Sequence, residues 1–305
     1  MADQAFTEIT NGLQFPEGPV SMPDGSVILT EMLASRLTRV APDGTKTTVA
    51  EINGSPNGLA LGPDGDLYLC NNGNAFTKVD MGGLLYPGPF DPSRYIGGRI
   101  QRVNIETGVV TDLYTHCGEH QLRAPNDIVF DKHGGFYFTD HGTRAERTAD
   151  RTGIYYATTD GASITEIAFP VDGPNGIGLS PSEDTLYWAE THTGRVYQRT
   201  ITSPGVLAPP DGASVVLCGL PGYQLLDSLA VDGDGNVCVA TLINGGITVI
   251  SPSGEIVKHI AVDDRLTTNI CFGGPDFQTA YITASSTGRL LSMEWPYKGL
   301  KLNNQ

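Results

Sequence analysis

The chain has 305 residues, 38 of them Gly and 20 Pro, with 39% hydrophobic and 17% charged residues. That balance excludes a highly charged disordered chain and a Glu/Lys/Leu-rich coiled coil. With 19 Lys+Arg against 34 Asp+Glu the formal net charge is −15, which repels phosphate backbones and anionic bilayers, so neither nucleic acid nor a membrane is an expected partner.

The opening MADQAFTEIT has no basic segment and no apolar core of a secretory leader, and no apolar run approaches the ~18 residues of a membrane helix. The expectation is a cytoplasmic chain. Cys70, Cys117, Cys218, Cys238 and Cys271 are scattered, odd in number and never spaced CxxC. Neither a disulfide framework nor a thiolate zinc site is expected.

From Phe15 onward one pattern recurs six times: a polar corner, an alternating apolar stretch, a Gly/Asp turn and a second strand. The copies are FPEGPVSMPDGSVILTE from Phe15, SPNGLALGPDGDLYLCN from Ser55 and APNDIVFDKHGGFYFTD from Ala124. They continue as GPNGIGLSPSEDTLYWAE from Gly173, LLDSLAVDGDGNVCVAT from Leu225 and LTTNICFGGPDFQTAYIT from Leu266. Each reads as a hairpin, and between copies lie further strand pairs such as RLTRVAPDGTKTTVA and GITVISPSGEIVKHIAV. About four strands per copy is the content of one propeller blade. The fold class is therefore all-β, a six-bladed β-propeller forming one domain over 1–305. The long interval between Asn57 and Asn126 adds a lid-like insertion around 73–98, poor in strand pattern, with Tyr86, Phe90 and Tyr95 as an apolar wall or as packing on the flank.

Aligning the corners places Glu17, Asn57, Asn126, Asn175, Asp227 and Asn269 at one position, where the innermost strands would begin around a central channel. Carboxylates and amide carbonyls suit a hard divalent cation, and two carboxylates balance its charge. Turn chemistry explains Asn57 and Asn175 separately, but Glu is a poor turn residue and LLDSLAV an apolar setting for Asp227. A metal-binding channel follows.

On FPEGPV, PNDIVFD, PNGIGLSP and LLDSLAVDGDGN, in this order and spacing, the chain resembles the family of senescence marker protein (regucalcin), gluconolactonase and luciferin-regenerating enzyme, from about Phe15 to Trp295. The resemblance implies the same propeller. It makes Glu17, Asn175 and Asp227 ligands of a catalytic metal, puts Asn126 on the metal directly or through water, and makes Asp227 the general base. Two positions depart from the family pattern: Ala124 stands where an Arg is frequent, with Arg123 adjacent, and Ala230 stands where the related diisopropyl fluorophosphatase has an Asp on a second calcium.

The implied chemistry is metal-assisted opening of a lactone, sugar-type or similarly hydroxylated. The attacking water is activated either by Asp227 or at the metal. Asn57, Asn126 and Asn269 are candidates to orient water or substrate, and Glu119, His120 and Arg123 in THCGEHQLRAPND to contact substrate oxygens. His141 and His192 follow second strands; they read as loop histidines, with the pocket as the alternative. All-oxygen ligands favour Ca²⁺, with Mg²⁺, Mn²⁺, Zn²⁺ or Fe²⁺ also compatible. Phosphotriester or fluorophosphate hydrolysis at the same metal, and a non-catalytic calcium- or ligand-binding propeller, are the competing functions. The expected partner is a small-molecule lactone, and the expected state a monomer or small homo-oligomer.

Overall fold

The computed structural model describes residues 6–305; Met1–Ala5, half of the stretch read above for a leader, and the side chains of Ala213 and Ser214 lie outside the described residues. Six antiparallel units follow one another, each with four main strands; the fourth adds the short strand Val206–Leu207. Blade 1 runs Pro16–Ser21, Val27–Glu31, Arg36–Val40 and Lys46–Glu51. Blade 2 has Pro56–Leu61, Leu67–Asn71, Arg99–Val103 and Val110–Tyr114. Blade 3 has Pro125–Phe130, Phe136–Asp140, Thr152–Ala157 and Ile164–Val171. Blade 4 has Pro174–Leu179, Thr185–Glu190, Arg195–Ser203 and Val216–Gly219. Blade 5 has Leu226–Val231, Val237–Thr241, Gly246–Ile250 and Ile256–Ala261. Blade 6 joins Thr267–Gly273, Thr279–Ala284 and Arg289–Glu294 to an outer strand from the start of the chain, Thr7–Thr10.

The first hairpins turn where the sequence places Asp and Gly. In blade 1, Asp24 Oδ1 accepts from the Ser26 N–H at 3.0 Å and Gly25 takes a left-handed φ of 83°. Blade 5 repeats the device with Asp232, the Asn236 N–H at 2.9 Å, and Gly235 at 82°. Each innermost strand packs against those of both neighbouring blades, and the sixth packs against the first, closing a ring without free inner edges.

Alternating strand residues bury between sheets, giving one apolar cluster per blade interface. Leu37, Leu59, Leu69 and Val103 fill the first, and Tyr68, Phe130, Phe136 and Phe138 the second. Leu13, Leu29, Cys271 and Leu290 fill the last, between blades 6 and 1. Four of the five cysteines are buried, Cys117 is half-buried, and all are free.

The insertion after Asn71 is not structureless, as the sequence pattern had suggested. It forms its own hairpin, Lys78–Met81 with Leu84–Pro87. That hairpin reaches across the ring: the Leu85 N–H donates to the Ser286 carbonyl at 2.8 Å and Lys78 Nζ to Gln14 Oε1 at 2.7 Å. At the opposite end of the channel, Leu300, Leu302 and Gln305 of the C-terminal segment line a small cavity of about 60 Å³. No helix among the described residues is long and apolar enough to cross a membrane.

Candidate active site

Strand pairing fixes which residues begin the innermost strands. Pro16 pairs with Glu31, Pro56 with Asn71, Pro125 with Asp140, Pro174 with Glu190, Leu226 with Thr241 and Thr267 with Ala284. One residue further along each strand stand Glu17, Asn57, Asn126, Asn175, Asp227 and Thr268. In blade 6 the ring position therefore belongs to Thr268, and the alignment on Asn269 is corrected by one residue. The register shift between Thr267 and Asn269 in blade 6 cannot be read from a polar residue in a corner. Asn269 takes the next tier, where blades 1, 2 and 4 have Gly, blade 3 has Asp127 and blade 5 has Ser228. A methyl group on Gly58 would collide with the Asn126 carbonyl and lie 2.7 Å from Asp127 Cα, so the inner strands approach too closely there for a side chain.

Hydrogen bonds between blades hold the ring residues. Thr30 Oγ1 donates to the Asn57 carbonyl at 2.9 Å, and Thr139 Oγ1 to the Asn175 carbonyl at 2.6 Å. In blades 1, 2 and 3 the last residue of the second strand ties down the corner beside it. Asp140 accepts from the N–H groups of Arg123 and Ala124 at 2.6 and 2.7 Å, and Glu31 from that of Gln14 at 2.7 Å. Asn71 Oδ1 does the same for Ser55 at 3.0 Å.

Three carboxylates share the buried centre: Glu17, Asp127 and Asp227. Among the described residues no Lys or Arg forms an ion pair with any of them. Burial, then the Asp227 charge, holds Glu17 well above the usual carboxylate range. Burial pushes Asp227 up to about 7, partly countered by the Asn175 side chain, with the Asp127 charge adding to the rise. Asp127 is likewise pushed to about 7 by burial, against the backbone N–H groups it accepts, including that of Ile128 at 3.0 Å. Sequence reasoning missed Asp127. The signal was an Asp directly after a ring Asn, where three other corners carry Gly.

Beside these acids, Oδ1 of Asn126 and Oδ1 of Asn175 are buried without a hydrogen-bond partner. Orphaned amide oxygens next to unpaired carboxylates are what a hard cation satisfies, so Glu17, Asn126, Asn175 and Asp227 fit a divalent ion. Among the described residues no group of three or more His, Cys, Asp or Glu could hold a metal by itself. The donor set is completed by amides.

Glu17, Asn57, Asn126, Asn175, Asp227 and Thr268 all line one cavity of about 190 Å³. His141 and His192 line it too, their rings 5.6 Å apart at 60°, which reverses the loop-histidine reading. Burial, then the His192 imidazole, pushes His141 down to about 4, and burial also lowers His192. Both imidazoles are therefore neutral at pH 7. The insertion contributes Phe76 and Pro87 to the wall. Tyr86, Phe90 and Tyr95 do not line it. Tyr86 pairs with Val79 inside the hairpin; Tyr95 donates to the Arg123 carbonyl at 2.6 Å and stacks its ring under that guanidinium, with Phe90 edge-on at 5.3 Å. Glu119, His120 and Arg123 line a different cavity of about 480 Å³ with Asp150 and Glu166. Arg123 is committed to Asp150 at 2.9 Å and does not line the ring cavity.

Residues 15–286 match the family model described as the SMP-30/Gluconolactonase/LRE-like region. The chain belongs to this family. Family relatives include the lactonase drp35 of Staphylococcus haemolyticus, 28% identical over 256 residues, 83% of this chain and 71% of the relative. Two solved structures share the fold. A gluconolactonase from Xanthomonas campestris superposes with a TM-score of 0.77 at 20% identity, over 97% of this chain and 91% of the other. The calcium-binding regucalcin of Agrobacterium tumefaciens superposes with 0.75 at 19% identity, over 97% and 95%. At that identity the likeness speaks for the six-bladed propeller, in agreement with the six repeats.

Proposed function

We propose that this member of the SMP-30/gluconolactonase/LRE-like family hydrolyses a lactone, using a divalent cation held by Glu17, Asn126, Asn175 and Asp227. The observation that carries the reading is the pair of buried carboxylates without a cationic partner, beside two amide oxygens without a donor. Family membership and the lactonase relatives support the reaction class. Ca²⁺ is the favoured ion for an all-oxygen set. When bound, it supplies Lewis-acid polarisation of the ester carbonyl.

The chain's own residues do the rest. Asp227 takes a proton from the attacking water, whose oxygen bonds to the carbonyl carbon. The ring C–O bond then breaks, and the departing alkoxide recovers the proton, giving a hydroxy acid. Among the described residues, Nδ2 of Asn57 has only Met32 Sδ, at 3.9 Å, as a neighbouring acceptor, which leaves it available to a substrate oxygen. Phe76 and Pro87 make the insertion a lid that keeps bulk water from the site.

The test is proton release from lactones by metal-stripped protein, before and after adding Ca²⁺, Mn²⁺, Zn²⁺ or Fe²⁺, against Asp227→Asn. Activity that returns with metal and is absent from the variant supports the proposal. Turnover of phosphotriesters alone would assign the same cavity to that chemistry. A tightly bound ion with no turnover would make the protein a non-catalytic binder.

A further inference from the structure

Beyond its ring of oxygen donors the cavity is walled by carbon. Phe15, Met32, Phe76, Leu225, Leu242 and Leu266 surround it. Four of them, Phe15, Met32, Phe76 and Leu266, form with Leu85 of the insertion a seventh apolar cluster, separate from the six that cement the blades. It is local and systematic. Phe15, Leu225 and Leu266 directly precede the innermost strands of blades 1, 5 and 6, while Met32 and Leu242 directly follow the second strands of blades 1 and 5. Phe15 is kept there at φ 59°, a left-handed backbone that favours Gly or Asn over a bulky ring.

Several polar groups within reach already have partners. Thr191 Oγ1 takes the Asn175 amide at 3.1 Å. Thr268 Oγ1 lies 2.9 Å from Thr283 Oγ1 and 2.5 Å from Ser285 Oγ. His141 Nδ1 donates to the Gly142 carbonyl at 3.2 Å, leaving one ring nitrogen. The Asn57 amide, the Thr191 O–H and the two imidazoles are then the polar complement beyond the cation set, too few to pair every hydroxyl of a polyol. A substrate carrying several hydroxyls would bury them against leucine and phenylalanine, at a cost of roughly 10-fold in affinity for each one left unpaired. The volume of about 190 Å³ is below the ~300–1,000 Å³ of sites for drug-sized ligands, which restricts the occupant to a compact ring with a short arm.

We infer that the substrate is a compact lactone with an apolar carbon skeleton, alkyl- or aryl-substituted, and that polyhydroxylated aldonolactones are discriminated against. This rests on the lactone-hydrolase reading above and revises the sugar-type expectation drawn from the resemblance. It assigns to Leu225, Leu242 and Leu266 the part of specificity determinants, lining the same cavity as the lid residue Phe76.

The experiment pairs turnover with binding. The kcat/KM of metal-loaded protein is measured on δ-octalactone and γ-phenyl-γ-butyrolactone against D-glucono-δ-lactone. Binding of the non-hydrolysable 6-propyl-2-piperidinone and D-glucono-δ-lactam is measured by calorimetry. The expected result is at least a 100-fold preference for the apolar lactones and the same order of lactam affinities. Leu242→Gln and, separately, Leu225→Gln should each narrow the preference about tenfold, mainly through KM for the apolar substrate. Equal or better turnover of the aldonolactone overturns the inference and leaves lactone hydrolysis standing. No turnover with the apolar lactam still preferred removes the hydrolase reading and supports the ligand class. Failure of both lactams to bind, with no turnover, overturns both.

Discussion

Nδ2 of Asn175 donates to Oγ1 of Thr191 at 3.1 Å, while Oδ1 of the same amide is buried with no partner. The hydroxyl therefore fixes which end of the amide is left for a cation. Thr191→Val keeps the shape and removes this acceptor, so the amide is held by Asp227 alone and less firmly oriented. The expected outcome is a 10–100-fold weaker divalent-ion affinity with an unchanged fold, read by calorimetry and circular dichroism. Thr191→Ser should retain near-normal affinity.

Asp227→Asn should abolish lactone turnover and yet raise the stability of metal-free protein at pH 8. Glu17 and Asp227 are both raised above their unfolded values, so the folded state binds the extra protons. Stability from this source is present at low pH and is lost as pH rises through about 7. Stripped wild type should thus melt at least about 5 °C lower at pH 8 than at pH 5, and Ca²⁺ should reverse the loss. The variant, with one acid neutralised, should show a flatter profile. Equal profiles for stripped wild type and variant would contradict the buried-charge account.

His141 predicts the opposite slope at acid pH. Its imidazole is pushed to about 4 by burial, from a usual value of 6.5. The unfolded chain binds the proton first, so stability is complete above pH 6.5 and is lost as pH falls towards 4, by at most about 3 kcal/mol. His141→Gln should remove that part of the acid loss, seen as a smaller difference in urea unfolding free energy between pH 7 and pH 5.

Gly58→Ala tests the closeness of the inner ring. The added methyl would meet the Asn126 carbonyl and Asp127 Cα, backbone atoms that cannot swing away. Destabilisation of about 3 kcal/mol is expected from overpacking, together with weaker metal binding as Asn126 shifts. Gly65→Ala is the control: it has left-handed backbone and open space around it, so it should cost about 1 kcal/mol from conformation alone and leave the site intact.

Much of the site is legible in the corners PEG, PNG, PND, PNG and LDS. A polar side chain at the start of an apolar strand stands out in any sequence, and Glu17, Asn57, Asn126, Asn175 and Asp227 all stand around one cavity. Asn269 misled because LTTN contains three polar residues in a row, and only the tertiary structure, which puts Thr268 and not Asn269 on the cavity wall, decides between them. The aromatics of the insertion stayed open between cavity wall and flank packing for a related reason. Aromatic composition marks an apolar segment, but whether a ring faces the cavity or staples the insertion to the Arg123 corner depends on where the hairpin lands.

The sequence by itself determined the strands, their turns and the sixfold count, because alternation and Asp-Gly turns act between residues close along the chain. It also determined the oxygen-rich character of the channel end, since each corner carries its own polar residue. Tertiary structure alone decided that Asp127 joins Glu17 and Asp227 in one buried centre and that Arg123 turns away to Asp150. It likewise placed Phe76, Leu242 and Leu266 together, though they come from an insertion and two distant blades. Desolvation and packing depend on what closes over a residue, and here each blade is covered by neighbours separated from it by tens to hundreds of positions.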